Sequence, residues 1–269
     1  ILTSTHSYDW KAYPVGQLPQ HGRMNTGEEV GNLGPTKSIN DNARELGRYI
    51  EYTQTDRNAW HIDLVAHSMG GLISRRYIHA QMPSYADGKP QVSHLVMLGT
   101  PNMGSRCADL ISAPLELAGR PMAALHELRP SVVAEFNAVH TERKGVEFSV
   151  LAGNPLPNGC YTFTANDGVV TVPSAVWTIA DNVQQSLLHT SMTDAPTFGS
   201  FVKPRLAIGP SGRAAGAGSR GAGTQFKGAL AAQARGVGAP ANAALPAPDL
   251  AKLLKVGPGQ TVTHAVPVK

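Results

Sequence analysis

The 269-residue chain carries 23 Lys/Arg against 19 Asp/Glu, a formal charge of +4 with its ten histidines neutral, and is long enough for one α/β domain and something smaller. Hydrophobic residues make up 42% of it, ordinary for a globular protein, and no uninterrupted apolar run reaches the ~18 residues that a membrane-spanning helix needs. The basic balance does not point to nucleic acid, because from Lys203 to Lys269 nine Lys/Arg face Asp249 alone, net +8, while the part before holds 14 Lys/Arg and 18 Asp/Glu, net −4. Ile1 is followed by neither a basic n-region nor an apolar h-region, so a signal peptide is expected to lie outside this sequence. Cys107 and Cys160 are too few and too far apart for a zinc site, and both a disulfide and two buried thiols remain open.

In chain order, Trp10 to Gly16 reads as a short strand and Gln17 to Arg23 as a turn. Ser38 to about Thr55 is predicted as a helix: Ser38 is its N-cap, Asp41 sits in the first turn, and Ile39, Ala43, Leu46 and Ile50 share one face. Ile62, Leu64, Val65 and Ala66 make an apolar run suited to a strand buried on both faces. Gly70-Gly71 opens a helix to about Gln81, with Leu72, Ile73, Tyr77 and Ile78 at helical spacing. Ser68 falls at the turn between strand and helix, a place where the backbone is strained and the neighbours two positions away, Ala66 and Gly70, must be small.

Pro83 to Pro90 is a turn region, and Val92, Leu95, Val96, Met97 and Leu98 fill a second strand that ends in Gly99-Thr100-Pro101-Asn102-Met103-Gly104-Ser105. No Lys follows Gly104, so a phosphate-binding loop is excluded there. Between Pro101 and Gly145, helical patterns interrupted at Pro114, Pro121 and Pro130 exceed what one crossover needs, and part of them is expected to form a cap over the sheet edge. Val146 to Ala152 is the next strand. Asn166-Asp167-Gly168 then forms a turn, a last strand is placed around Val176 to Ala180, and Leu187 to Thr193 carries His189. Strands alternating with helices call for a mostly parallel α/β sheet.

Ala66-His67-Ser68-Met69-Gly70-Gly71 resembles the nucleophile elbow of the α/β-hydrolase superfamily, most closely that of bacterial lipases and esterases, which usually carry Gly where Ala66 stands. Gly99-Thr100-Pro101, Asp167-Gly168-Val169-Val170 and His189-Thr190-Ser191-Met192 also resemble segments of those enzymes, and together the likeness covers about Trp10 to Leu206. The resemblance implies an α/β-hydrolase fold with helices on both faces and a helical cap. It also implies a catalytic triad of Ser68 as nucleophile, Asp167 as acid and His189 as base, with the Met69 N–H as an oxyanion donor. Asp181 and Asp194 are the reserve acids. The side chain of His67 is expected to be directed away from the place the base occupies, and His6, His21, His61, His79 and His94 precede the acid in the chain.

Only one helix fits between Gly22 and the serine, so His21-Gly22 is not expected to be the second oxyanion donor; the strand and loop that supply it are expected before Ile1. The implied activity is carboxylic-ester hydrolysis through an acyl-enzyme, on an ester or lipid substrate, with no metal or organic cofactor required. Amidase, thioesterase or acyltransferase chemistry would use the same residues, and a non-catalytic hydrolase-like binding domain is the alternative. The expected organisation is a catalytic domain over 1–206, an Ala/Gly/Pro-rich linker over 207–248 that cannot bury enough apolar surface to order itself, and the start of a β-type module over 249–269. A secreted or extracytoplasmic location is expected from the appended module.

Overall fold

A computed structural model of the chain describes residues 36–84, 90–108, 123–160 and 162–208. The strand expected at Trp10 to Gly16, the His21-Gly22 turn, the linker beyond Ile208 and the segment 249–269 lie outside the described residues.

Helix α1, Ile39–Arg57, begins where the Ser38 side chain accepts from the Asp41 N–H, and it stops at Asn58 in a left-handed conformation. The cap fills an orphan donor at the N-terminus and Asp41 meets the positive end of the helix dipole. Strands β1 (Ile62–His67), β2 (Val92–Leu98), β3 (Glu147–Gly153) and β4 (Asp181–Gln185) then form a parallel sheet in the order β1-β2-β3-β4. Each parallel pair needs a crossover. Helix α2 (Met69–Ala80) joins β1 to β2, α3 (Ala123–Glu127) and α4 (Pro130–Val139) lie between β2 and β3, and α5 (Val172–Val176) lies between β3 and β4. Beyond β4 come a 3-10 turn, His189–Ser191, and a final helical segment α6 made of Ala195–Thr197, the π-helical Phe198–Val202, and Lys203–Leu206.

Alternate strand residues divide the core between the two sheet faces. Leu95, Met97, Val150 and Ala152 pack with Ile50 of α1, Leu72 and Ile73 of α2 and Val133 of α4. Val96, Leu98 and Leu151 pack instead with Met192, Phe201, Val202 and Leu206. Every residue of β2 is buried, which explains its nearly unbroken apolar sequence. No helix among the described residues is long and apolar enough to cross a membrane.

One sequence expectation lies partly outside the described residues, and one changes. Of the segment expected to supply a cap, residues 109–122 lie outside the described residues; α3 and α4 pack on the main core through Ala124, Leu128, Val133 and Phe136 and serve as crossover helices. The last strand is not Val176 to Ala180. Thr171 caps a helix with Pro173 in its first turn, Val172–Val176, and the strand follows as Asp181–Gln185. Proline at a helix start is preorganised for helical φ, whereas β4 has a single apolar side chain, Val183, facing the core; its polar sequence hides it.

The same polar strand anchors α6. Arg205, 2% exposed, donates through Nε to Asp181 Oδ2 and through Nη2 to Oδ1, both at 2.7 Å, and Ser149 Oγ donates to the same carboxylate. Breaking one side of such a pair leaves a charge without compensation, at a cost of about 3 kcal/mol. Arg205→Met is therefore expected to lower the urea midpoint clearly, with Asp181→Asn in the same chain restoring part of the loss; a midpoint equal to the parent's would show that the pair contributes nothing.

Candidate active site

The loops after β1, β3 and β4 leave the C-terminal ends of the strands, the side of an open α/β sheet where ligands bind. Ser68 follows β1 with φ 54° and ψ −129°, a sparsely populated positive-φ conformation that costs a non-glycine residue of order 1–3 kcal/mol. Its N–H donates to Leu98 O at the end of β2. Met69 opens α2, so its N–H belongs to the first turn, whose donors have no acceptor inside the helix. The Ala66 methyl lies 3.6 Å from where a Cβ on Gly70 would stand, ordinary contact, so the turn closes around alanine as well as glycine. A Cβ on Gly71 would come within 2.1 Å of Thr100 Oγ1; it is close packing of α2 on the loop after β2 that demands this glycine.

Asp167 is 1% exposed. Its Oδ1 accepts from the N–H groups of Val169 at 2.9 Å and Val170 at 2.6 Å, and its Oδ2 accepts from His189 Nδ1 at 2.8 Å. The His189 N–H also donates to Asp167 O. Asn166 shapes this turn by accepting from the Gly168 N–H and donating to Thr164 O and Leu156 O. The Asn-Asp-Gly sequence thus builds a turn and aims a carboxylate at once.

The segment 187–192 reaches this pair by lying across strand ends. A Cβ on Gly153 of β3 would meet Leu187 O at 2.2 Å and Met192 Cε at 2.6 Å; one on Gly99, at φ +57°, would meet Met192 Sδ, His189 Nδ1 and Asp167 Oδ2 at 2.9 to 3.1 Å. Sequence reading noted Gly99 only as part of a resemblance and gave Gly153 no role. The reserve acids are engaged elsewhere, Asp181 with Arg205 and Asp194 as the N-cap of Ala195–Thr197.

His67 is a correction. It was expected to be directed away from the base, yet its ring lies 4.6 Å from that of His189, tilted 44°, and its Nε2–H donates to His189 O at 2.9 Å. β1 alternates its side chains, and His67 falls on the face of Val65, where the segment after β4 also packs. Burial first, and the neighbouring His189 second, lower its pKa to about 4. The hydrogen bonds of the site join His189 to Asp167 and His67, and none joins it to Ser68 Oγ.

The surrounding loops are stitched together. Cys107 and Cys160 form a disulfide, Cα–Cα 5.1 Å, between the loop after β2 and the loop that carries Asp167. Ser105 Oγ donates to Val169 O and Ser174 Oγ to Gly104 O. Arg75, 2% exposed, donates to the side-chain oxygens of Asn102 and Asn137 and lies 3.9 Å over the Trp177 ring; burial, then Arg143, lowers its pKa to about 9. A cavity of about 420 Å³ lies between the same two loops, lined by Met103, Pro130, Phe163, Thr171 and Pro173 among others, and neither Ser68 nor His189 lines it.

The fold is that of the α/β hydrolases. A family model described as "Domain of unknown function (DUF7379)" matches residues 36–113, and no curated protein sequence matches the chain significantly. Among solved structures, a lipase of Bacillus licheniformis in its mature form is 25% identical with a TM-score of 0.52, over 63% of this chain and 75% of the lipase. The propeptide form of that lipase gives 22% and 0.51, over 61% of this chain and 40% of the other.

Two measurements test this geometry. The disulfide closes a loop of 53 residues, worth about 4 kcal/mol in the chain-entropy account. Replacing both cysteines by alanine should lower the calorimetric midpoint by roughly 10 °C, and a drop of a degree or two would show that the loops hold without it. The second concerns acid. Folded His67 refuses a proton down to about 4, while the unfolded imidazole takes one near 6.5. Between those values the unfolded state binds more protons, so stability falls as pH is lowered through the window, by roughly 3 kcal/mol in all. His67→Gln should show a shallower loss in denaturant titrations between pH 7 and 4, and parallel curves for the two proteins would contradict the depressed pKa.

Proposed function

We propose that this chain is a serine hydrolase of carboxylic esters, with Ser68 as nucleophile, His189 as general base and acid, Asp167 as the orienting carboxylate and the Met69 N–H as an oxyanion donor. The observation that carries it is the buried Asp167–His189 pair at 2.8 Å, set at the same sheet edge as a serine held at φ 54° at the end of β1. A carboxylate on Nδ1–H fixes the imidazole tautomer and leaves Nε2 as the basic atom, which a serine hydroxyl needs in order to act near neutral pH.

In this mechanism Nε2 takes the Ser68 proton as Oγ attacks the ester carbonyl. The new O–C bond places negative charge on the carbonyl oxygen, toward the N-terminus of α2 and the Met69 N–H. As the tetrahedral intermediate collapses, the C–O bond to the alcohol breaks and His189 returns the proton to the leaving oxygen. Water, deprotonated by the same Nε2, then attacks the acyl carbon; as the bond from that carbon to Ser68 Oγ breaks, His189 returns the proton to Oγ and the acid is freed. Asp167 stays ionised throughout and stabilises the imidazolium in each step. Likeness to the mature lipase of Bacillus licheniformis supports esters as the substrate class. The Cys107–Cys160 disulfide supports action in an oxidising compartment outside the cytoplasm.

A fluorophosphonate probe should label the chain covalently and Ser68→Ala should abolish labelling. Asp167→Asn should cut turnover of p-nitrophenyl esters by a hundredfold or more, given the ~10⁴ that this change costs in a serine protease. Undiminished labelling of the Ser68→Ala protein would sink the assignment.

A further inference from the structure

His189 is held at three points. Two come from Asp167: its carboxylate on Nδ1 and its carbonyl on the backbone N–H. The third comes from His67, whose Nε2–H donates to the His189 carbonyl at 2.9 Å while the two rings lie 4.6 Å apart. Asp167 follows β3 and His189 follows β4, so the first two contacts fix the histidine to the acid loop and leave its distance from β1 unset. In the order β1-β2-β3-β4, three strand spacings of about 4.8 Å separate β4 from β1. The segment 187–192 covers that span over Gly153 and Gly99. Beside the apolar packing of this segment near Val65, His67 hydrogen-bonds its backbone to the end of β1, the residue before Ser68.

We infer that His67 is a positioning residue for the proposed reaction: its imidazole tethers the backbone of the base to the residue next to the nucleophile, and so sets the separation of Ser68 and His189. Because a carbonyl only accepts, Nε2 of His67 carries a proton, and burial, which with the neighbouring His189 lowers its pKa to about 4, makes the ring a neutral donor of fixed tautomer near neutral pH. Neutrality matters, since His189 turns cationic in each half-reaction and a second imidazolium 4.6 Å from it would oppose that charge. The groups facing the ring are His189 and, behind it, Asp167. The tether residue is bonded directly to Ser68, with about 3.8 Å between their Cα atoms, so slack in this contact passes directly into the reacting distance. A displacement of ~1 Å is enough to cost about a hundredfold in rate.

The inference rests on the triad reading above, and its test separates the two. His67→Gln keeps an N–H donor on a side chain of similar reach, and His67→Phe keeps the ring and loses the donor. With ester substrate, the Phe variant should lose at least about tenfold in kcat with KM within about twofold, and the Gln variant should recover to within about threefold of the parent. Equal rates for Phe and parent, or equal losses for Gln and Phe in folded proteins, would overturn the tether. The low-field Nδ1–H resonance and ring ¹⁵N shifts of His189 give a readout that needs no substrate: they should survive in the Gln variant and move or broaden in the Phe variant. Unchanged His189 signals in His67→Phe would refute the tether whatever the activity. A parent that neither turns over esters nor is labelled at Ser68 would remove the triad reading, and the resonance comparison would still decide the tether.

Discussion

The site depends on one segment being able to lie flat across the ends of the strands. Residues 187–192 carry His189, which contacts a carboxylate that follows β3 and, through His67, the end of β1. Backbone and methionine atoms occupy the space where Cβ atoms of Gly153 and Gly99 would stand, and Gly99 adds a positive φ that an L side chain resists. These glycines serve close approach, not flexibility. With them in place, the buried Asp167 carboxylate is saturated by two backbone N–H donors and the imidazole. A buried charge is tolerable on those terms, because its desolvation is offset by charge-assisted hydrogen bonds.

The loops that deliver these groups have little regular structure, so they are made rigid by polar contacts and one covalent link. The Cys107–Cys160 disulfide, Ser105 to Val169 and Ser174 to Gly104 join the loop after β2 to the acid loop. Arg75 brings α2, α4 and the stretch around Asn102 together, and Asn102 donates onward to Ala175 O in α5. The guanidinium is satisfied by amide oxygens and aromatic faces, an arrangement that suits a buried arginine better than a lysine because its fork of donors is planar and pre-shaped. Deep polar networks of this kind are costly when half satisfied and rigid when complete. A preorganised site needs the second condition.

His67 shows how one strand position can act twice. The alternation of β1 puts its ring on the face of Val65, and the peptide that follows turns into Ser68. Directing the ring away from His189 would leave a polar side chain to find a partner among Val65, Val183 and Leu187, the apolar residues packed on that face. Packing against His189 gives the Nε2–H a carbonyl and gives the histidine turn its third fixed point.

What the sequence determined by itself is what short-range chemistry encodes. Ser38 with Asp41 announces α1, the apolar runs at Ile62 and Val92 announce two strands, of which β2 is wholly buried while β1, expected to be buried on both faces, is half-buried apart from Ala66, and Asn166-Asp167-Gly168 is suited to a turn. The resemblance of three short motifs to α/β-hydrolase segments singled out Ser68, Asp167 and His189, which follow β1, β3 and β4. The tertiary structure alone decided the rest, because those contacts join residues far apart in the chain. Strand β4 has a polar sequence, since much of its fit comes from Asp181 pairing with Arg205, and the apolar Val172–Val176 became a helix through Thr171 and Pro173. The pairing of Cys107 with Cys160, the hub at Arg75 and the contact of His67 with His189, 122 residues away, leave no local periodicity. A residue's neighbours in sequence fix its backbone, and only the folded sheet brings it the partners that fix its side chain.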